Sequence, residues 1–335
     1  MDVAIVVNLK SRRGSKKVAD HARLEIPTAR VLATHSLAET ERFIQELRAT
    51  SPDLVLSAGG DGTAVGLINA LRPTNGQGQF PTIGLLPLGT GNGWANATRA
   101  PAWKEGLARV AHLAKRSKSI STRRFDLVET CGRIAPFAGT GWDAELIDDF
   151  HAQKSGPGVL PKGSRKGVAG YLHGLFTRTV PRHVLAKERL EVELINTGDD
   201  AFTVDDSGKV IPLPGGHTGA VLYRGPVGVC GAATSAEWGF GFKSYPFAGA
   251  MPRRLCVRVY SAGPIEAVLR TRDLWVGKHP LPKMHTWMLT SCKMKFSRPV
   301  PFQIGGDRHG HVSDVDYRIA PETVDVLDWP AIRRR

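Results

Sequence analysis

The sequence predicts an α/β protein: an N-terminal, mostly parallel three-layer α/β domain and a C-terminal antiparallel β-sandwich-like domain. Three observations lead there. Through the N-terminal third, short apolar, β-branched runs alternate with helix-patterned segments, the rhythm of a parallel sheet with helices on both faces. Two of those runs pass directly into glycine-rich loops, which is where ligands bind in such sheets. Beyond residue 124 the helical pattern thins, and short β-rich stretches are separated by Gly and Pro, as in antiparallel architectures.

Residues 3–7, VAIVV, read as a buried strand. Residues 8–17 are polar and basic and carry Gly14. Residues 30–34 suit a second strand. Residues 37–47, LAETERFIQEL, have helical spacing, with Ser36 as N-cap and Glu39 at the capping-box position. Residues 54–57 form a third strand and 64–71 a helix. Residues 82–86 form a fourth strand, and 103–115 a further helix. In the second part, strands are expected at 189–195, 227–229, 255–260 and 286–296, with one helix at 167–179. The domain boundary falls near residue 125, giving parts 1–125 and 126–320.

Composition narrows the function classes. The chain has 335 residues, 41% hydrophobic and 23% charged, enough for two folded domains and unlike a disordered segment. Its net charge of +14 attracts anions: nucleic acid, phosphates or an acidic membrane surface. The basic residues lack the setting of a helix-turn-helix or an RNA-binding sheet, so nucleic acid is not the expected partner. The four cysteines, none in a CxxC pair, suggest neither zinc nor a disulfide framework and fit a reducing compartment. The opening MDVAIVVNLK is too short and too acidic for a signal peptide. No apolar run reaches the ~18 residues of a membrane span. Cytoplasmic location, with any membrane contact peripheral, is therefore expected.

The two loops carry the chemistry. In GGDGT, Gly59, Gly60 and Gly62 allow positive φ and close approach of backbone to a ligand. Their N–H groups and the helix start near Thr63 make an anion cradle. Asp61 would repel a phosphate unless a cation such as Mg²⁺ stood between them. The alternative is that Asp61 caps a helix. The second loop, LPLGTGNGWAN, offers Gly89, Thr90, Gly91 and Asn92. Neither loop is a P-loop or a dinucleotide fingerprint. As a pair after neighbouring strands, they suit a nucleotide held between them.

GGDGT and LPLGTGN at this spacing resemble the nucleotide-binding signature of the diacylglycerol kinase catalytic-domain family, which includes bacterial lipid kinases and the sphingosine and ceramide kinases. Asn8 and Thr34, after the first two strands, match nucleotide-contacting positions of that family. FAGTGWDAELI at 137–147, GVAGYLHGL from Gly167, and RPVPFQIGGD at 298–307 resemble later stretches. The resemblance implies a kinase-type α/β domain plus a β-sandwich-like domain with nucleotide in the cleft. It also implies ATP and Mg²⁺ as cofactors, and a C-terminal segment, 321–335, that returns to the first domain through TVDVLDW. The implied activity is transfer of the γ-phosphoryl group to a lipid hydroxyl, diacylglycerol-like or sphingoid, at the inner membrane face. Val65 and Gly66 depart from the family's Asn and Glu. Gly305-Gly306-Asp307 stands in place of Asp-Gly-Glu, and GAMPRR at 249–254 replaces an acidic metal-binding turn.

Phosphoryl transfer needs positioning, charge neutralisation and a base near the accepting hydroxyl. By the resemblance, Asp307 is the base; a surface-turn acid is the plainer reading. Asp143 is a metal-side or substrate-orienting acid, or a helix N-cap. His309 and His311, without a third ligand, suit a solvated turn more than a metal. Trp94 and Trp142 suit cleft walls or core. Residues 151–187 hold seven Lys or Arg and no Asp or Glu, which suits an anionic membrane surface or a solvated loop. A soluble hydroxyl acceptor, or a nucleotide- and lipid-binding protein without catalysis, are the rival readings.

Overall fold

The computed structural model describes residues 1–35, 37–73, 80–116, 120–142, 144–145 and 189–332. Ser36, Asp143, the expected helix at 167–179 and the basic stretch at 151–187 lie outside the described residues. Two units emerge: Met1–Phe125 with Glu237–Gly241 and Pro321–Arg335, and Asp126–Ala236 with Phe242–Ala320.

The first unit begins with β1 (Val3–Asn8), α1 (Lys16–Glu25), β2 (Arg30–Thr34), α2 (Leu37–Thr50) and β3 (Leu54–Gly59). It continues with α3 (Asp61–Leu71), β4 (Thr82–Pro87), α4 (Gly93–Ala97) and α5 (Trp103–Lys115). The strands are parallel in the order β2-β1-β3-β4, and Val326 pairs with Ile83 as a further parallel neighbour. Both faces of the sheet are buried. Val3, Ile5, Val7, Leu54, Leu56 and Ala58 pack against α1 and α5, while the alternate residues Ala4, Val6 and Val55 are buried outside that cluster. This period of two explains why the strands read as continuous apolar runs. In α5, Leu107, Val110 and Ala111 form one stripe at helical spacing.

The boundaries differ in informative ways. Helix α3 starts at Asp61 rather than at residue 64, so Gly62 and Thr63 stand in its first turn. Helix α1 has no counterpart in the sequence reading, because only Val18, Ala19 and Ala22 of a polar segment are buried. The C-terminal segment completes this unit. Leu327 and Trp329 are fully buried in the same cluster as β1 and β3. Arg109 donates to the carbonyls of Trp329 and Ile332, and Arg72 pairs with both oxygens of Glu322.

The second unit holds β5 (Thr122–Thr130, entering from the first unit), β6 (Arg133–Ala135), β7 (Phe137–Gly141), β8 (Glu191–Asn196) and β9 (Phe202–Val204). There follow β10 (Val210–Pro212), β11 (Val221–Pro226), β12 (Val229–Ala233), β13 (Leu255–Tyr260), α6 (Pro264–Leu269) and α7 (Thr271–Val276). The last strands are β14 (Met284–Leu289), β15 (Ser291–Ile304) and β16 (Asp307–Leu327). Its strands pair antiparallel in the order β10-β9-β14-β13-β12-β7-β15-β16, with β8 joining β15 to β11. Strand β15 pairs with β8 through Cys292–Phe296 and with β7 through Phe302–Ile304. Register breaks near Val300 and Pro301 let it bend between the two.

Two strand expectations needed correction. Residues 227–229 are a junction between β11 and β12, and residues 286–296 are two strands that meet at Thr290. Helices α6 and α7, of six residues each, are too short to show a period in sequence.

Candidate active site

The ends of β1, β3 and β4 converge with α3 and α4. Asn8 closes β1 in register with Thr34 at the end of β2. The Asn8 side-chain nitrogen donates to Thr63 Oγ1 at 2.8 Å, and its side-chain oxygen accepts from the Lys10 N–H at 2.9 Å. Strand β1 thereby holds the first turn of α3.

The two glycine loops touch each other. The N–H groups of Leu88 and Gly89 both donate to the Gly59 carbonyl, at 2.8 and 3.1 Å. A Cβ on Gly89 would lie 2.4 Å from Gly60 Cα, and one on Gly59 would strike the Thr63 side chain at 2.3 Å. Gly60 has φ −100°, Gly62 is helical, and neither Gly59, Gly89 nor Gly91 has positive φ. The expectation of left-handed glycines is thus corrected. These glycines are small because backbone meets backbone. The left-handed residue is Asn92, φ 53°. Its amide closes the loop on itself, accepting from the Gly89 N–H at 2.9 Å and donating to the Gly89 carbonyl at 3.1 Å.

Asp61 ties the loops together. Its carboxylate accepts the Gly93 N–H at 2.9 Å and the Trp94 N–H at 3.0 Å. It therefore caps α4, a helix thirty residues away, rather than its own. A third segment seats on the second loop. Asn92 bridges to Gly239, the Phe240 N–H donates to the Gly91 carbonyl at 2.9 Å, and a Cβ on Gly93 would lie 2.5 Å from the Trp238 backbone. Sequence reading missed this segment and Gly93; the signal was the glycine pair in WGFGF. Trp94 is fully buried and meets Phe125 edge-on at 6.3 Å, so it is core. Beneath the loops lies a small cavity of about 10 Å³ between Ser57, Asp61, Leu85, Asn92 and Trp94. That is room for about one water, so a nucleotide would lie over the loops, not inside this space.

What faces outward can bind an anion. Helix α3 begins at Asp61 after N-cap Gly60, which brings no side chain to its first turn, so the positive end of the helix and the Gly62 N–H are presented at the loop. Thr63 accepts from Asn8 and keeps its own proton to donate. Half-exposed Thr90 makes no hydrogen bond among the described residues. Mg²⁺ fits less well. Both Asp61 oxygens are engaged by N–H groups, and no group of three His, Cys, Asp or Glu among the described residues could hold a metal.

Asp307 belongs to the second unit. Gly305 and Gly306, at φ 59° and 85°, form the two-residue loop between Ile304 and Asp307, the geometry of a type I′ hairpin. The Gly305 N–H donates to the Phe137 carbonyl and the Gly306 N–H to the Gln303 side chain, both at 2.9 Å. Asp307 is exposed at the tip of a held turn. His309 lies against Phe302. Burial, and secondarily Arg133, push its pKa below the usual value, which keeps it neutral near pH 7. Trp142 packs edge-on to Tyr260 at 6.5 Å. Asp143 lies outside the described residues.

Residues 2–129 match the diacylglycerol kinase catalytic domain. The chain is therefore similar to that domain over less than half of its length. It is 33% identical over 155 residues to "Probable lipid kinase YegS" of Escherichia coli O17:K52:H18, covering 46% of this chain and 48% of that relative. Over 150 residues it is 32% identical to "Probable lipid kinase YegS-like" of Citrobacter koseri, covering 44% of this chain and 45% of the other. The match thus spans about half the length of these relatives. Two crystal structures of diacylglycerol kinase-fold proteins from Bacillus anthracis str. Sterne share the fold. Their TM-scores are 0.62 and 0.65, at 15% and 16% identity, over 99% of this chain and 98% of each of theirs.

Proposed function

We propose that the protein is an ATP-dependent lipid kinase that moves the γ-phosphoryl group to a hydroxyl of a diacylglycerol-like or sphingoid lipid. One observation carries the reading. Two glycine loops at the C-terminal ends of adjacent parallel strands are cross-linked by Asp61 inside a segment that matches a diacylglycerol kinase catalytic domain. In this proposal the Gly62 N–H and the positive end of α3 receive phosphate oxygens. The Thr63 hydroxyl, steadied by Asn8, donates to another, and Thr90 donates from the second loop. Gly59, Gly60, Gly89, Gly91 and Asn92 act by holding the loops. Thr34 stands beside Asn8 at the sheet edge and completes the nucleotide side. Mg²⁺ would enter as the counter-ion of the nucleotide and not as a ligand of Asp61.

The lipid hydroxyl oxygen bonds to the γ-phosphorus as the bond to the β–γ bridging oxygen breaks. ADP leaves, and the hydroxyl proton passes to a carboxylate within reach. Asp307 is the proposed acceptor. The test is radiolabelled ATP with a panel of lipids in mixed micelles, with and without Mg²⁺. Labelled lipid product is expected. Product formed equally well from a soluble alcohol without micelles would move the acceptor class. A specific observation favours a non-catalytic reading: a single exposed acid, Asp307, stands where the resembling family has two. ATP-induced stabilisation with no product from any acceptor would establish that reading. Neither stabilisation nor product would remove the nucleotide reading entirely.

A further inference from the structure

Helices α6 and α7 form an elbow with two unlike sides. The inner side is core: Ala267 and Leu274 pack against Tyr260, Ala262 and Leu281. The outer side is apolar and uncovered. Ile265 is 62% exposed, Leu269 80%, Trp275 38% and Val276 57%. They are four of the six large hydrophobic side chains that are exposed among the described residues. Ile265 and Leu269 are one helical turn apart, so both project from one face of α6. Trp275 is fixed rather than loose. Its ring meets Phe242 edge-on at 5.5 Å, its carbonyl accepts the Lys243 N–H at 3.0 Å, and Gly277, at φ 70°, closes α7.

The rim is cationic. Arg270, Arg272, Lys278 and Lys283 lie on or just after the two helices, and exposed Lys243 adjoins Trp275. On the two helices themselves, Glu266 and Asp273 oppose these five cations. Glu266 is paired with Lys283 and Arg270, and Asp273 with Arg270 and Lys278. Arg272 and Lys243 make no ion pair with described residues and face solvent.

We infer that the α6–α7 elbow is a docking surface for an anionic lipid bilayer, with Ile265, Leu269, Trp275 and Val276 entering the headgroup boundary. Exposed apolar patches with polar rims mark interaction sites. A patch of four apolar side chains falls well short of the roughly 20–30 residues a side of a standard protein interface. A bilayer needs only a few inserting groups. Tryptophan settles at the lipid–water boundary, and the cationic rim adds attraction to anionic headgroups. The elbow shares no residue with the glycine loops or with the basic stretch at 151–187. The inference needs no nucleotide, so it stands or falls apart from the kinase reading.

The test is co-sedimentation of the full chain, without ATP, with vesicles of phosphatidylcholine alone or mixed with phosphatidylglycerol. Wild type should bind the mixed vesicles, and more weakly at high salt. Leu269→Glu with Trp275→Glu should lower the partition coefficient by roughly 10-fold or more, since each removes an inserting group. Its folding is checked by near-ultraviolet circular dichroism. The matched control Leu24→Glu, at an exposed apolar site of the first unit, should bind as wild type does. Brominated lipid should quench wild-type tryptophan emission more than that of Trp275→Phe. Failure of wild type to bind mixed vesicles, or equal binding by the double variant, overturns the inference. So does a wild-type dimer in light scattering that the double variant renders monomeric, because the face would then be a subunit interface.

Discussion

Removing the Asp61 carboxylate separates its structural work from its part in ligand binding. In Asp61→Ala, the N–H groups of Gly93 and Trp94, both residues buried, lose their acceptor. An unsatisfied buried donor costs about 1–3 kcal/mol. Two together give about 2–6 kcal/mol, at the upper end if α4 stays in place and less if it unwinds toward water. Asp61→Asn keeps one acceptor oxygen and turns an NH₂ toward the other N–H, so about half of that loss is expected. A domain of this size melts about 2–4 °C lower per kcal/mol, so calorimetry should place the alanine variant about 4–24 °C below wild type, with asparagine between. The stabilisation conferred by ATP should disappear in the alanine variant, because the second loop is no longer held beside the first. An Asp61→Ala protein that melts with wild type and has lost only activity would refute this reasoning. The carboxylate would then act on the ligand and not on the loops.

Four further outcomes follow from particular contacts. Gly89→Ala sets a Cβ against Gly60 Cα and should destabilise by about 1–3 kcal/mol, whereas Gly66→Ala, with open space beside it in α3, should stabilise by about 0.5–1 kcal/mol; urea midpoints distinguish the two. Trp329→Ala empties a fully buried site in the first unit and should cost about 3–5 kcal/mol, so the segment 1–125 expressed alone should show no cooperative melting. Ellman's reagent at pH 8 should find one thiol in the native protein and four in guanidinium: Cys131 is exposed, while Cys230, Cys256 and Cys292 are buried. Burial pushes the Cys256 thiol up to about 12 and that of Cys292 higher still, so both stay protonated far above pH 8. Asp307→Asn should lower kinase turnover by roughly 10²–10⁴, the usual worth of a positioned base, with ATP binding retained and Asp307→Glu active; full activity in Asp307→Asn would assign the proton to another acid.

Much of the first unit was legible because its signals are local. A strand buried on both faces is an unbroken apolar run, as at Val3–Asn8 and Leu54–Gly59, and a glycine loop at the end of such a run marks the ligand edge of a parallel sheet. Four helices escaped for physical reasons: α1 buries only three small residues, and α4, α6 and α7 are shorter than two turns. The residue types of the candidate site were visible, but not their work. That Asp61 caps a helix thirty residues away, that Gly60 faces Gly89, and that Trp238 and Gly239 cover the second loop are contacts between distant stretches. Such contacts leave no period or spacing in the chain. The composition of GGDGT and LPLGTGN announced an anion-binding edge; only packing decided which glycines are small for a ligand and which for each other. Likewise, the apolar residues of α6 and α7 look alike in sequence, and the tertiary fold alone buries Ala267 and Leu274 while leaving Leu269 and Trp275 in water.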